Sequence, residues 1–143
     1  MADVAAPGGD RILQVTANAP NGRVLSTYPS KFLNPASPLF VQDCSVSPCA
    51  VYAYLQGTSM ASPHVAGLDA LVISHYGRIP SGMVAATIQR TADPQGCPND
   101  ATLAQYAPFT STSNGAPQTC IGGPGSNAWY GNGIVNALSA LGH

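Results

Sequence analysis

The sequence has little charge and no glutamate. Only 8% of its 143 residues are charged: six acidic residues, all aspartate, and five basic residues, one lysine and four arginines. Globular domains typically carry about 25% charged residues, and a surface that binds nucleic acid needs clustered basic side chains to neutralise phosphates. The formal net charge of -1 therefore argues against a nucleic-acid partner.

The sequence also lacks a long apolar run. No stretch approaches the roughly 20 apolar residues that a membrane-spanning helix needs, so we expect no membrane partner. The start, MADVAAPGGD, has neither the basic beginning nor the apolar centre of a signal peptide. The length favours a single domain, residues 1–143.

The four cysteines lack the CxxC spacing that is typical of zinc sites. They lie in segments rich in Pro, Ser, Gly, Asn and Gln, and can pair in three ways. The local pairing, Cys44 with Cys49 and Cys97 with Cys120, needs the least chain rearrangement and is the one we predict. Disulfides would indicate an oxidising compartment and a secreted protein whose targeting sequence lies outside these residues. The alternative is four free thiols in a cytosolic protein.

Residue patterns predict three short strands followed by three helices. Runs of β-branched or aromatic residues predict strands over residues 3–6, 23–27 and 51–55. Apolar spacing predicts one helix from Thr58 to a stop at Gly77, a second with Ser81 as its N-cap, and a third over about residues 135–141. Residues 29–49 and 94–128, rich in proline and other turn formers, are expected to be long loops.

The first predicted helix is apolar on most faces, which is typical of a buried helix. Gly67 lies in its interior, where glycine costs about 1 kcal/mol relative to alanine and makes sense where another backbone comes close. Three short strands cannot cover such a helix. The pattern therefore indicates a sheet that this chain does not fully contain.

Ser59 and His64 suggest a nucleophile with its base, but their spacing argues against that pairing. A serine hydroxyl needs a histidine within hydrogen-bond reach, and that histidine needs a third group to orient it. Five residues along a helix rotate two side chains to about 140° apart and separate them by ~7.5 Å along the axis. We therefore expect His64 to be a structural residue.

The first turn of the helix, unlike His64, has features that would support catalysis by Ser59. Gly57 permits a sharp entry into the helix, and Thr58 and Ser59 occupy its first turn. The unpaired backbone N–H groups there, with the positive end of the helix dipole, can stabilise a developing oxyanion. A plain Ser/Thr helix cap is the common alternative for such a pattern.

The segment GTSMASPHVAG, residues 57–67, resembles the nucleophile segment of the subtilisin-like serine peptidases (subtilases). The segments DVAAPGG, residues 3–9, and YGNGIVNALSAL, residues 130–141, are similar to further blocks of that family in order and spacing. The resemblance implies an α/β fold, the C-terminal part of a subtilisin-like domain in which helices flank a parallel sheet. It implies that most of that sheet is missing from this chain.

The resemblance also implies roles for individual residues. Ser59 is expected to be the acylating nucleophile, with its own backbone N–H as an oxyanion donor, and Gly57 and Thr58 are expected to contribute to binding. The chemistry needs no cofactor. A structural calcium ion is a weak expectation, with Asp3 as its candidate ligand and no other metal site indicated.

The sequence departs from the family pattern before Ser59. Subtilases order their triad Asp, His, Ser, yet all three histidines, His64, His75 and His143, follow Ser59. The block with the family's oxyanion asparagine is also absent. The chain is therefore expected to be a fragment without the catalytic Asp and His, inactive alone and prone to aggregate. Its partners would be a protein or peptide substrate and the missing N-terminal part of the same domain.

Two functional hypotheses follow from these observations. The first is a secreted serine endopeptidase that hydrolyses peptide bonds through an acyl-enzyme on Ser59. The second is a non-catalytic subtilase remnant that binds a partner through an exposed sheet edge. The sequence does not indicate substrate specificity or oligomeric state.

Overall fold

The computed structural model describes residues 3–12, 21–111 and 113–143. Contacts divide the chain into two units, Pro7–Pro63 and a second that joins Met1–Ala6 with His64–His143. The elements are, in chain order, β1 (Val24–Thr27), a 3-10 turn (Ser30–Phe32), β2 (Phe40–Asp43), β3 (Ala50–Leu55), α1 (Thr58–Tyr76), α2 (Ser81–Thr91), α3 (Asp100–Tyr106), β4 (Gly122–Gly123), β5 (Ser126–Asn127) and α4 (Ala137–Ala140).

The Pro7–Pro63 unit contains an antiparallel sheet of three strands in the order β1-β3-β2. The central strand β3, AVYAYL, alternates its side chains across the sheet, and Val51 and Ala53 are buried on one face. The β1 and β3 predictions are confirmed to within a residue. Strand β2 lies inside the segment expected to be a loop, because pairing with β3 supplies the backbone hydrogen bonds that its own short sequence does not specify.

Both predicted disulfides are present. Cys44–Cys49 joins the segments at the end of β2 and the start of β3, and Cys97–Cys120 closes part of the segment before β4. The second expected loop, residues 94–128, also contains regular structure. Asn99 accepts a hydrogen bond from the Thr102 N–H and begins α3, and β4 and β5 form a two-residue antiparallel pair.

The core of the other unit is helical. Leu68 and Val72 of α1 pack with Val84 and Ile88 of α2 and Ala140 of α4. The i, i+4 spacing places each helix's two side chains on one face. Burial of these side chains stabilises the unit by about 25 cal/mol for each Å² of apolar surface removed from water.

Helix α1 is exposed on more of its surface than its sequence predicts. The expectation of a buried helix holds for Leu68 and Val72, but Leu71 is 50% exposed. A Cβ at Gly67 would meet no atom within 4 Å, so no described backbone makes the expected close approach. Helix α1 therefore has more apolar surface than the described residues bury.

The helix boundaries follow the predictions with two corrections. Gly77 has φ +78° and ends α1 as predicted. Ser81 is not the N-cap of α2 but its first residue, because Pro80 occupies the cap and its carbonyl accepts from Val84. Helix α4 spans four residues instead of the predicted seven, since Asn136 already caps it.

The predicted strand over residues 3–6 pairs through isolated bridges. Ala5 donates from its N–H to the Gly133 carbonyl at 2.8 Å and accepts from Val135 at 2.9 Å. Its bridge to Ile134 is parallel, whereas the described strands pair antiparallel. Together these elements make a partial α/β domain with few strands, in agreement with the expected fold class.

Candidate active site

The turn before α1 is built on Gly57. Its φ of +140° is a conformation that residues with a side chain rarely adopt. The Gly57 carbonyl accepts hydrogen bonds from the N–H groups of Met60 at 3.0 Å and Ala61 at 3.2 Å. Gly57 therefore serves as the residue whose carbonyl begins the helix, and it reaches that geometry because it has no Cβ.

Thr58 and Ser59 are the first two residues of α1, and both are exposed. The first N–H groups of a helix have no intrahelical acceptor, and the N–H groups of Thr58 and Ser59 lie at the positive end of the helix dipole. Ser59 does not have the helix cap position, which Gly57 occupies. The structure thus gives Ser59 an accessible place beside two backbone donors, and its role as nucleophile stays a prediction.

A loop of residues 7–12, called here the glycine loop, runs along the turn before α1. The Gly57 N–H donates to the Gly8 carbonyl at 2.8 Å. The Arg11 N–H donates to the Gln56 Oε1 at 3.2 Å. Two separate parts of the chain are therefore tied at the two residues that precede Thr58.

The sequence does not predict this contact. Gly8 and Gly9 appear in the sequence as an ordinary turn, and nothing local indicates which backbone Gly8 approaches. The one available signal is the pair of consecutive glycines, since each lacks a side chain where another backbone lies close.

His64 and His75 lie on α1, and His143 is the last residue of the chain. His64 lies on α1, five residues after Ser59, so helical geometry turns the two side chains about 140° apart. His75 lies in the last turn of α1 and contacts the ring of His143, with 6.2 Å between the ring centroids. None of the three can serve as the family's upstream base, since each follows Ser59 in the sequence.

Asp3, the weak calcium candidate, is exposed, and its backbone carbonyl accepts from the side-chain amide of Asn132 at 2.8 Å. Across residues 3–12, 21–111 and 113–143, no three His, Cys, Asp or Glu side chains are grouped as metal ligands. In the same ranges no helix has the length and apolar character needed to cross a membrane.

Comparisons with known proteins agree on one family. A family model described as "Subtilase family" matches residues 1–133. The chain is 33% identical over 127 residues to the "Extracellular protease" of Xanthomonas campestris pv. campestris, which covers 89% of this chain and 15% of the relative. It is 53% identical over 49 residues to "Thermitase" of Thermoactinomyces vulgaris, covering 34% of this chain and 17% of the relative.

A solved structure of a protease from Pseudoalteromonas arctica is similar to nearly the whole chain. The match has a TM-score of 0.52 and 32% sequence identity, and it covers 97% of this chain and 28% of the other. The chain thus spans between 15% and 28% of the length of the Xanthomonas, Thermoactinomyces and Pseudoalteromonas relatives.

Proposed function

Because the chain belongs to the subtilase family, we propose that it supplies the nucleophile of a serine endopeptidase, and that the nucleophile is Ser59. The observation that carries the proposal is the place of Ser59. It is exposed in the first turn of α1, directly after the Gly57 turn, within the GTSMASPHVAG segment. A plain helix cap would require the serine at position 57, two positions earlier.

The proposed reaction is peptide hydrolysis through an acyl-enzyme. The Ser59 Oγ attacks the carbonyl carbon of the scissile bond while a histidine accepts its proton. The oxyanion that forms is stabilised by the Ser59 N–H and the dipole of α1. The histidine then gives the proton to the leaving amine, and water hydrolyses the acyl-enzyme by the reverse sequence of proton transfers.

The remaining catalytic groups must come from outside these residues. The base, its orienting aspartate and the side-chain oxyanion donor belong to blocks that this chain does not contain. The N-terminal part of a subtilase domain is therefore the proposed partner, and proteins or peptides are the proposed substrates. The 143-residue chain alone is expected to show no measurable peptidase activity.

Secretion is proposed on two grounds. One relative is named an extracellular protease, and both cysteine pairs of this chain form disulfides, which persist in oxidising compartments. Calcium bound near Asp3 remains a weaker proposal, which calcium titration of the chain would test.

The experiment is a graft. In the Pseudoalteromonas arctica protease, the region similar to this chain is replaced by residues 1–143, and the product is called the grafted enzyme. We expect it to cleave peptide substrates and to react covalently with a serine-directed phosphonate, with the label on Ser59. Ser59→Ala should lower kcat by about 10⁴-fold or more and abolish labelling.

Ser62→Ala provides the matched control, since Ser62 lies on the same helix three residues further on, and it should keep the activity. A folded grafted enzyme without activity would contradict the proposal and favour the non-catalytic remnant. Activity that survives Ser59→Ala would show that another residue is the nucleophile.

A further inference from the structure

The contact between the glycine loop and the turn before α1 has a consequence for catalysis. All the residues involved lie in the Pro7–Pro63 unit. A Cβ at Gly8 would lie 2.8 Å from the Gly57 carbonyl oxygen and 3.4 Å from the Ala61 Cβ. A separation under 3.0 Å is one that real Cβ atoms essentially never show, so a side chain at position 8 requires a shift of the glycine loop or of the Gly57 turn relative to each other.

Gly57 cannot move without moving the start of the helix. Its carbonyl is the acceptor for Met60 and Ala61, and its N–H is held by the Gly8 carbonyl. In the sequence, Ser59 lies between Gly57, whose carbonyl accepts these bonds, and Met60 and Ala61, which donate them. A shift of the Gly57 carbonyl therefore changes the position of the Ser59 N–H and Oγ relative to a bound substrate.

The glycine loop is also held by hydrogen bonds that do not involve Gly57. The Asp10 N–H donates to the Gly22 carbonyl at 2.6 Å, and the Asp10 Oδ1 accepts from Ile12 at 2.7 Å. Gly22 is buried. Gly9 has φ +83°, and a Cβ there would lie 3.0 Å from the Gln56 Cβ. The loop is therefore bonded to Gly22 and lies in close contact with Gln56 and Gly57.

We propose that the glycine loop positions the nucleophile, with Gly8 and Gln56 as positioning residues that act on Ser59 through the Gly57 turn. The inference rests on the proposed role of Ser59. Position 8 excludes a side chain only because of the close contact with Gly57. The φ of Gly8 itself lies outside the left-handed region and would permit other residues. Gln56 contributes the side-chain oxygen that fixes the loop at Arg11.

The first test is Gly8→Ala in the grafted enzyme. We expect kcat to fall roughly 10- to 100-fold, the size of effect that a displacement of about 1 Å has on an oriented group. KM should change by less than about two-fold, and the rate of phosphonate labelling at Ser59 should fall in parallel with kcat. Gly82→Ala is the matched control, since a Cβ at Gly82 meets nothing within 4 Å, and it should retain full kcat.

A second variant decides the matter if Gly8→Ala does not fold. Gln56 is exposed, so Gln56→Ala should fold, and we expect it to lower kcat about 3- to 10-fold. Gln56→Glu keeps an acceptor oxygen for the Arg11 N–H and should restore kcat to within about two-fold. Hydrogen exchange of the peptide that covers residues 55–60 should be faster in Gln56→Ala than in Gln56→Glu.

The outcomes separate this inference from the proposed function. Wild-type kcat in Gln56→Ala, or a change confined to KM, would overturn the positioning role. If Ser59→Ala still abolishes activity in that case, the proposed function stands. If Ser59→Ala itself leaves activity intact, the proposed function fails first. A loss of kcat in Gly8→Ala and Gln56→Ala with rescue by Gln56→Glu supports the inference.

Discussion

The side-chain amide of Asn136 donates a hydrogen bond to each carboxylate oxygen of Asp93, at 3.0 and 3.1 Å. The Oδ1 of the same amide accepts from the Ser139 N–H at 2.9 Å and so caps α4. Asp93 also bridges Ile134 through two backbone hydrogen bonds. One side chain thus links the segment after α2 to the start of α4.

Replacement of Asn136 should separate these two contributions. Asn136→Ala removes both the cap and the bonds to Asp93, and should destabilise the protein by about 1–2 kcal/mol. Asn136→Ser keeps a cap acceptor and loses the amide donor, so its cost should be smaller. Thermal unfolding of the grafted enzyme in a Ser59→Ala background, which prevents autolysis, measures both. Equal costs would show that the cap contributes nothing.

Asn127 should be among the least replaceable polar residues of the chain. It is 1% exposed, accepts from the N–H groups of Trp129 and Tyr130, and donates to the carbonyls of Gln95 and Gly123. Asn127→Ala leaves these four part-buried groups without their side-chain partner and should cost about 3 kcal/mol.

Asn114 offers the matched control for Asn127. It is exposed and makes one comparable bond, from the Ala116 N–H to its Oδ1. Asn114→Ala should change the free energy of unfolding by at most about 0.5 kcal/mol. Similar Tm values for the Asn127 and Asn114 variants would contradict the role given to burial.

Leu71 tests whether the exposed surface of α1 is covered in a complete domain. Leu71→Lys should reduce aggregation of the 143-residue chain, because it removes an exposed apolar side chain. In the grafted enzyme the same change should block folding or lower Tm strongly, since it would bury a charge without a partner. Light scattering of the chain and Tm of the grafted enzyme measure the two effects.

Ile121→Lys is the comparison for Leu71, because Ile121 is 74% exposed in the segment before β4. It should leave the Tm of the grafted enzyme unchanged. If Leu71→Lys is equally harmless there, the surface of α1 stays exposed and the proposed N-terminal partner does not cover it.

The contribution of Asp43 to stability should depend on pH. The Ser45 N–H donates to its Oδ1 at 2.9 Å, and this bond, followed by one from the Ser45 hydroxyl, lowers the pKa of Asp43 below the ordinary value of 3.8. A lowered folded-state pKa means that the stabilising contribution is present at neutral pH. It is lost as the pH falls below 3.8 through the folded-state pKa.

An NMR titration of the Asp43 carboxyl carbon checks that its pKa lies below 3.8. Ser45→Ala removes the hydroxyl and keeps the backbone bond, so the pKa should rise slightly and still stay below 3.8. A pKa that returns fully to 3.8 in Ser45→Ala would show that the backbone bond has no effect.

Local sequence determined the features that depend on neighbouring residues. The apolar spacing from Thr58 and the stop at Gly77 predict α1, because a helix forms through contacts three and four residues apart. Short separation likewise favours the observed pairing of Cys44 with Cys49. The GTSMASPHVAG segment identifies the family and singles out Ser59, because its residue order is specific whatever the fold around it.

Tertiary structure decided what depends on distant residues. Strand β2 exists because β3 lies beside it, and the exposure of Leu71 depends on which elements cover α1. The contact of Gly8 with Gly57 joins residues 49 positions apart, and no local propensity indicates it. The backbone hydrogen bonds and close approaches at such contacts join segments that only folding brings together. They hold the turn before Ser59, but no pattern in the neighbouring residues predicts them.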